Sequence, residues 1–230
     1  MKQTKLMTVM IVLFLSGTMV NAQSQTLTFK KGEVLDILLF NGKPEMGKLI
    51  PKYKETAFAF AVKMGYQPQP LFKVAETTQG GYQPSSFIFG KWPSVAARKK
   101  FLNEIVDNVP DFHDQRRAMW STFFVSYYEI ENDISFEIDS NKTVVATHLW
   151  KQNSVDFSTF QEEWLKEAKS QGAKVILELR NPRSAVGYLY KPDYTVLLEW
   201  NDRASFDAFT EKNKEMERQE IRNINQFVIQ

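Results

Sequence analysis

One pattern occurs twice in this chain, and it constrains the fold more than any other feature. Trp92-Pro93-Ser94-Val95-Ala96-Ala97 with Phe101 returns as Trp200-Asn201-Asp202-Arg203-Ala204-Ser205 with Phe209. The two tryptophans and the two phenylalanines each lie 108 residues apart (200 − 92 and 209 − 101). Both copies stand where an apolar run ends and a helical one begins, as expected if a whole supersecondary unit has been duplicated.

The order of elements in each copy follows from local patterning. In the first, Val34 to Phe40 is short and apolar enough for a buried strand. Pro51 suits a first helical turn, Tyr53, Ala57, Phe60, Ala61 and Met64 recur at helical spacing, and Gly65 stands where a helix stops. Leu71 to Glu76 and Ser86 to Trp92 read as strands joined across Gln79-Gly80-Gly81. Ser94 caps a helix with Ala97, Phe101 and Ile105 on one stripe; Pro110 interrupts it before a second piece from Asp111 to Trp120, and Thr122 to Ile130 is a strand. The second copy repeats this. Strand Thr143 to Trp150 leads to a helix capped by Asp156 that turns Phe157, Phe160, Trp164 and Ala168 inward and ends at Gly172. Strands Lys174 to Leu179 and Tyr194 to Trp200 follow, then a helix capped by Asp202 that carries Phe206, Phe209 and Met216, and a last strand Asn225 to Ile229.

Each copy is therefore β-α-β-β-α-β, the ferredoxin-like split unit, which leaves one sheet face bare of helices. A bare apolar face needs a partner, and the other copy can supply it. The predicted fold class is α+β: two tandem ferredoxin-like units, residues 31–139 and 140–230, packed sheet to sheet as a single-chain dimeric α/β barrel. In this order and in its Trp-to-Phe repeat the chain resembles the dimeric α/β-barrel superfamily in fused form. That group includes antibiotic-biosynthesis monooxygenases, EthD-like proteins, stress-responsive A/B barrel proteins and, in tandem form, some haem proteins.

Residues 1–22 read as a secretory signal peptide, with Lys2 and Lys5 ahead of the apolar stretch Leu6 to Val20 and small residues at Val20-Asn21-Ala22. The stretch is shorter than the ~20 residues of a membrane helix, so the expectation is a periplasmic or secreted chain with no membrane span after cleavage. Cleavage would leave 27 basic residues (29 − 2) against 27 acidic ones. No positive field remains to attract a phosphate backbone, and nucleic acid is not an expected partner. Arg98-Lys99-Lys100 is the only run of three basic residues and reads as a solvated helix face. The chain has no cysteine, which excludes disulfides and thiolate metal sites.

Two histidines are present. Alternation along Thr143 to Trp150 puts Val144, Ala146, His148 and Trp150 on one face and Val145, Thr147 and Leu149 on the other. If the first face turns inward, His148 is the candidate catalytic residue, a proton acceptor or an axial ligand, with Trp150 beside it; otherwise it is a strand-end histidine satisfied by a hydrogen bond. Tyr127 and Tyr128, and Tyr188 and Tyr190 in the long hairpin Arg180 to Asp193, could contact a ligand, and that hairpin could act as a lid. His113 and Arg117, four apart, could hold an anion or simply lie on a solvated helix side. No metal site or cofactor is indicated by spacing. The expected function is the binding of a small apolar or aromatic molecule between the two sheets. A cofactor-independent monooxygenase, a haem-binding protein and an envelope interaction module are the alternatives, and the oligomeric state stays open.

Overall fold

The computed structural model describes residues 24–152, 157–184, 189–216 and 219–230. The expected cap at Asp156, Tyr188 and the segment 1–22 lie outside them. The described part begins with β1 (Ser24–Phe29) and then forms a unit of β2 (Val34–Gly42), α1 (Met46–Tyr53), α2 (Ala59–Lys63), β3 (Gln67–Gln79), β4 (Ser86–Trp92), α3 (Val95–Asn108), α4 (Phe112–Met119) and β5 (Trp120–Glu129). After β6 (Ile134–Asp139) comes a second unit of β7 (Thr143–Lys151), α5 (Ser158–Ser170), β8 (Lys174–Arg180), β9 (Arg183–Ser184), β10 (Tyr194–Trp200), α6 (Arg203–Glu215) and β11 (Ile221–Ile229).

Within each unit the strands pair in the ferredoxin-like order, β5-β2-β4-β3 in the first and β11-β7-β10-β8 in the second. The local signals behind them are visible in the caps. Ser94 Oγ accepts from Ala97 N–H at 3.1 Å, and Asp202 Oδ1 accepts from Ser205 N–H at 2.8 Å, so the two repeat motifs start their helices in the same way. Gly65 and Gly172 hold positive φ at the ends of the first helices, as their positions in the sequence suggested.

The bare faces of the two sheets look at each other across a shared core. Leu35, Ile37, Leu39, Phe87 and Phe89 of the first unit meet Val144, Ala146, Leu177, Leu197 and Phe227 of the second. The units are also joined edge to edge, which periodicity could not show. β11 pairs with β3 in antiparallel register from Gln226↔Gln79 to Ile229↔Val74, and β5 pairs with β9 at Tyr127↔Arg183. The nine-stranded order therefore begins at β8 and ends at β9, which are neighbours along the chain, so the sheet wraps into a barrel. Asn181 makes the turn between them with a φ of 56°, a left-handed conformation that asparagine tolerates.

Three expectations change. Pro51 lies inside α1 and not at a first turn; it removes one rung of the helix, and the ladder widens into a π turn over Lys54–Phe58 before α2 resumes. The Arg180 to Asp193 hairpin supplies β9 and lends Tyr190 to the core, so its described part fastens the barrel where a lid was expected. β1 and β6, not foreseen as strands, pair with each other and send Leu27, Phe29, Phe136 and Ile138 into the barrel core. Phe136 packs on Phe29 and Phe89 with ring centroids 6.3 and 5.6 Å apart.

Candidate functional site: a cavity under the helices of the first unit

Duplication supplies an internal control, because each unit lays its helices on the outer face of its own sheet. In the second unit that layer has a tightly clustered apolar centre, with an open polar groove at its edge lined by Lys151, Phe157, Gln161 and Arg180. Val145, Leu149, Phe160, Trp164, Val196, Leu198, Trp200, Phe206 and Phe209 are all buried in that central cluster. In the first unit the equivalent layer holds a partly open cavity of about 260 Å³. Its floor comes from Asp36, Leu38 and Phe40 of β2 with Ile88 of β4, and its roof from Tyr53 and Phe58 at the two ends of the π turn, Phe101 of α3 and Phe112 of α4. The lining is predominantly aromatic and aliphatic, the usual character of a small-molecule site.

Two substitutions between the copies change the chemistry of this layer. Asp36 stands opposite Gly90, two residues before Trp92, as Val145 stands opposite Leu198, two residues before Trp200. Arg98 stands 108 residues before Phe206 (206 − 98). The apolar pair Val145 and Phe206 of one unit is thus an ion pair in the other. Arg98 Nε donates to Asp36 Oδ1 at 2.7 Å, and Trp92 Nε1 donates to Asp36 Oδ2 at 3.0 Å. Trp200, facing a valine, has no partner for its Nε1. The guanidinium lies 4.0 Å over the Tyr127 ring. Burial raises the Asp36 carboxyl above the usual carboxylate range, with the Arg98 charge opposing it. The expected solvated face Arg98-Lys99-Lys100 is corrected accordingly: Arg98 is 4% exposed, because its helix turns that position onto the sheet.

Other polar atoms border the same space. Arg98 Nη1 and Trp120 Nε1 are buried without hydrogen-bond partners. Tyr66 lines the cavity and packs against Trp92 at 5.0 Å, and burial pushes its hydroxyl pKa up. Gly90 makes room for it, since a Cβ there would come within 2.7 Å of the Tyr66 ring and hydroxyl. Arg116 stacks on Phe123 at 3.8 Å toward the other end of the cavity. Sequence reasoning passed over Asp36 and Arg98, although two signals marked them. Asp36 is the one charged residue in the run Val34 to Phe40, and Arg98 breaks the repeat at a position that is aromatic in the other copy.

The residues singled out by sequence fall in three places. His148, Trp150 and Tyr128 face the barrel interior. Tyr128 hydroxyl and Thr195 Oγ1 are 2.8 Å apart, and His148 Nδ1 is 2.7 Å from the Tyr190 hydroxyl, which also accepts from Asn225 at 3.3 Å. The His148 ring is surrounded by Phe87, Trp150, Tyr190 and Phe227 with centroids 5.3 to 6.5 Å away, and its Nε2 has no partner. Tyr127 points the other way, under Arg98. His113 and Arg117 are exposed on α4, where Arg117 bonds Asp114 at 2.5 Å. Among the described residues no group of three or more His, Asp or Glu side chains is placed to hold a metal ion.

Burial takes the His148 pKa from 6.5 down to about 3. The unfolded chain binds this proton near pH 6.5 and the folded chain only near pH 3, so the residue leaves stability intact above pH 6.5 and erodes it as pH falls through that window. The loss should be about 1.4 kcal/mol per pH unit. In denaturant titrations between pH 7 and pH 4.5, His148→Gln should therefore show a shallower acid decline than the parent; parallel profiles would refute the assignment.

The fold, two ferredoxin-like units whose sheets face each other and join along one edge, defines the class of protein: a tandem ferredoxin-like α+β chain of the dimeric α/β-barrel type. No protein-family model and no curated protein matches the sequence. The backbone is similar to that of a variant of chlorite dismutase from Candidatus Nitrospira defluvii, with TM-score 0.52, 8% identity and coverage of 88% of this chain and 93% of that one. A second variant of the same enzyme gives 0.50, 8%, 87% and 92%. An anthrone oxidase-like protein gives 0.45, 15%, 89% and 94%. At 8% identity the likeness to the chlorite dismutase variants is one of fold. Among the described residues no helix is long and apolar enough to cross a membrane.

Proposed function

We propose that this is an exported protein that binds a small apolar or aromatic molecule, and that the molecule occupies the cavity between the helices and sheet of the first unit. The observation that carries the reading is the contrast between the units: the centre of the layer is a buried aromatic cluster in one copy, and in the other it holds an apolar cavity of about 260 Å³. A void lined by apolar side chains forfeits packing contacts, so its retention in one copy alone indicates an occupant. The π turn in the roof adds to this, since such turns interrupt helices most often at functional positions. Export rests on the charge and apolar pattern of residues 1–22. The sequence reading put the ligand between the sheets, where the rings of Phe87, Trp150, Tyr190 and Phe227 pack around His148.

A melting screen against apolar and aromatic compounds tests the proposal. A ligand at a hundred times its dissociation constant should add about 2.7 kcal/mol, roughly 5–11 °C for a chain of this size. Leu38→Trp, which places an indole in the cavity, should abolish the shift. Flat curves across the screen, or shifts unaffected by Leu38→Trp, would overturn the reading.

Haem binding is the second reading, favoured by the unpartnered Nε2 of His148. The cavity under the helices contains no histidine among its lining residues, and the rings around His148 would have to part to admit a porphyrin. Haemin belongs in the same screen: a Soret shift that His148→Ala removes would establish haem in place of an apolar ligand. As a proton acceptor for oxygenase chemistry, His148 is weak at neutral pH because burial disfavours its charged form.

A further inference from the structure

We infer that the occupant of the cavity carries a neutral hydrogen-bond acceptor, a carbonyl oxygen at one end of an apolar body, and that Arg98 Nη1 receives it. This rests on the cavity being a binding site and adds which chemical class it selects.

Arg98 is 4% exposed and lines the cavity, and its other contacts are accounted for by Asp36 and the Tyr127 ring. Nη1 alone is left buried without a partner. A buried donor left without a partner weakens the folded state by ~1–3 kcal/mol, and more when the group is charged. Stability does not explain its presence, because the second unit fills the same position with Phe206, fully buried against Trp200. A donor kept in the layer with the cavity and absent from the one with the clustered centre is placed for something that enters the cavity.

The charge balance decides which acceptor. Asp36 already neutralises Arg98 at that end of the cavity. A carboxylate ligand would bring a second negative charge beside Asp36 with no second cation to meet it. The other cation of the lining, Arg116, stacks on Phe123, and Phe123 pairs with Phe40, four residues along β2 from Asp36 and so about 13 Å away. A carbonyl oxygen accepts from Nη1 without that penalty. Trp120 Nε1, which also lacks a hydrogen-bond partner in the lining, is uncharged.

Three probes of one shape separate the possibilities: 2-acetylnaphthalene, 2-ethylnaphthalene and 2-naphthoate, titrated into the purified protein by calorimetry. The ketone should bind at least tenfold tighter than either of the others. In Asp36→Val/Arg98→Met, which removes the pair while nearly conserving volume, the ratio of ketone to hydrocarbon affinity should fall toward one. Hydrocarbon bound as tightly as ketone by the parent protein, or naphthoate bound more tightly, would overturn the inference and leave the cavity reading standing. No saturable binding of any of the three would bring down both. The comparison within the parent protein decides the matter even where the double variant does not fold.

Discussion

Replacing Arg98 by methionine should cost about 3–5 kcal/mol of stability, and adding Asp36→Val should return most of that loss. The single change strands a carboxylate that is 3% exposed, holding only the Trp92 indole N–H at 3.0 Å. The double change removes the buried charge altogether and approaches what the second unit does with Val145 and Phe206. Its residual cost should be about 1 kcal/mol, chiefly the Trp92 Nε1 left as Trp200 Nε1 already is. Midpoints of guanidinium unfolding for the parent, the two single variants and the double variant give the coupling directly. A double variant no more stable than Arg98→Met would show that the pair is not an isolated buried unit.

The second large effect is expected at the seam between the units. Gly80→Ala should destabilise the protein by roughly 2–5 kcal/mol, the sum of a left-handed backbone penalty and a steric one. Gly80 has a φ of 92°, and a Cβ there would lie 2.0 Å from Asn225 Oδ1 and 2.3 Å from the carbonyl oxygen of Ile224. That carbonyl belongs to β11 where it meets β3, so it cannot swing aside without disturbing the pairing that joins the units. The same seam buries Gln226, whose amide donates to Thr147 Oγ1 at 3.0 Å and accepts from Thr78 Oγ1 at 2.8 Å. Gly81→Ala is the control, since nothing lies within 4 Å of a Cβ at that position. Equal losses from the two substitutions would mean that the close approach at Gly80 does not carry the seam.

Much of the fold was legible because its signals are local. Ser86 to Trp92 and Tyr194 to Trp200 are strands with the limits expected of them, and Ser94 and Asp202 cap helices as their spacing implied. What was missed is pairing over distance. β1 and β6 are 110 residues apart at their starts (134 − 24); Ile134 to Asp139 alternates apolar and polar residues, a local strand signal that the sequence reading overlooked, but nothing in that stretch says which distant segment it pairs with. Each is stabilised by the other and by burying Leu27, Phe29, Phe136 and Ile138 in a core neither segment encodes. The candidate site was less legible. Alternation correctly grouped His148 with Trp150 on one strand face, but which face met the interior depended on the whole sheet closing. Arg98 looked like surface because its neighbours Lys99 and Lys100 are exposed, and only the angle at which α3 lies on the sheet separates it from them.

The sequence by itself determined the duplication, the β-α-β-β-α-β order of each copy, the caps Ser94 and Asp202 and the absence of thiol chemistry, since each of these depends on residue type and spacing within one or two turns of chain. Tertiary structure alone decided that the copies join along their edges, that the centre of one helix layer is a buried cluster and that of the other a cavity, and that Asp36 and Arg98 meet in the lining of that cavity. Those outcomes turn on how side-chain volumes and charges from strands and helices some sixty residues apart (98 − 36) fit together, and such a fit leaves only a faint trace in any short stretch of sequence.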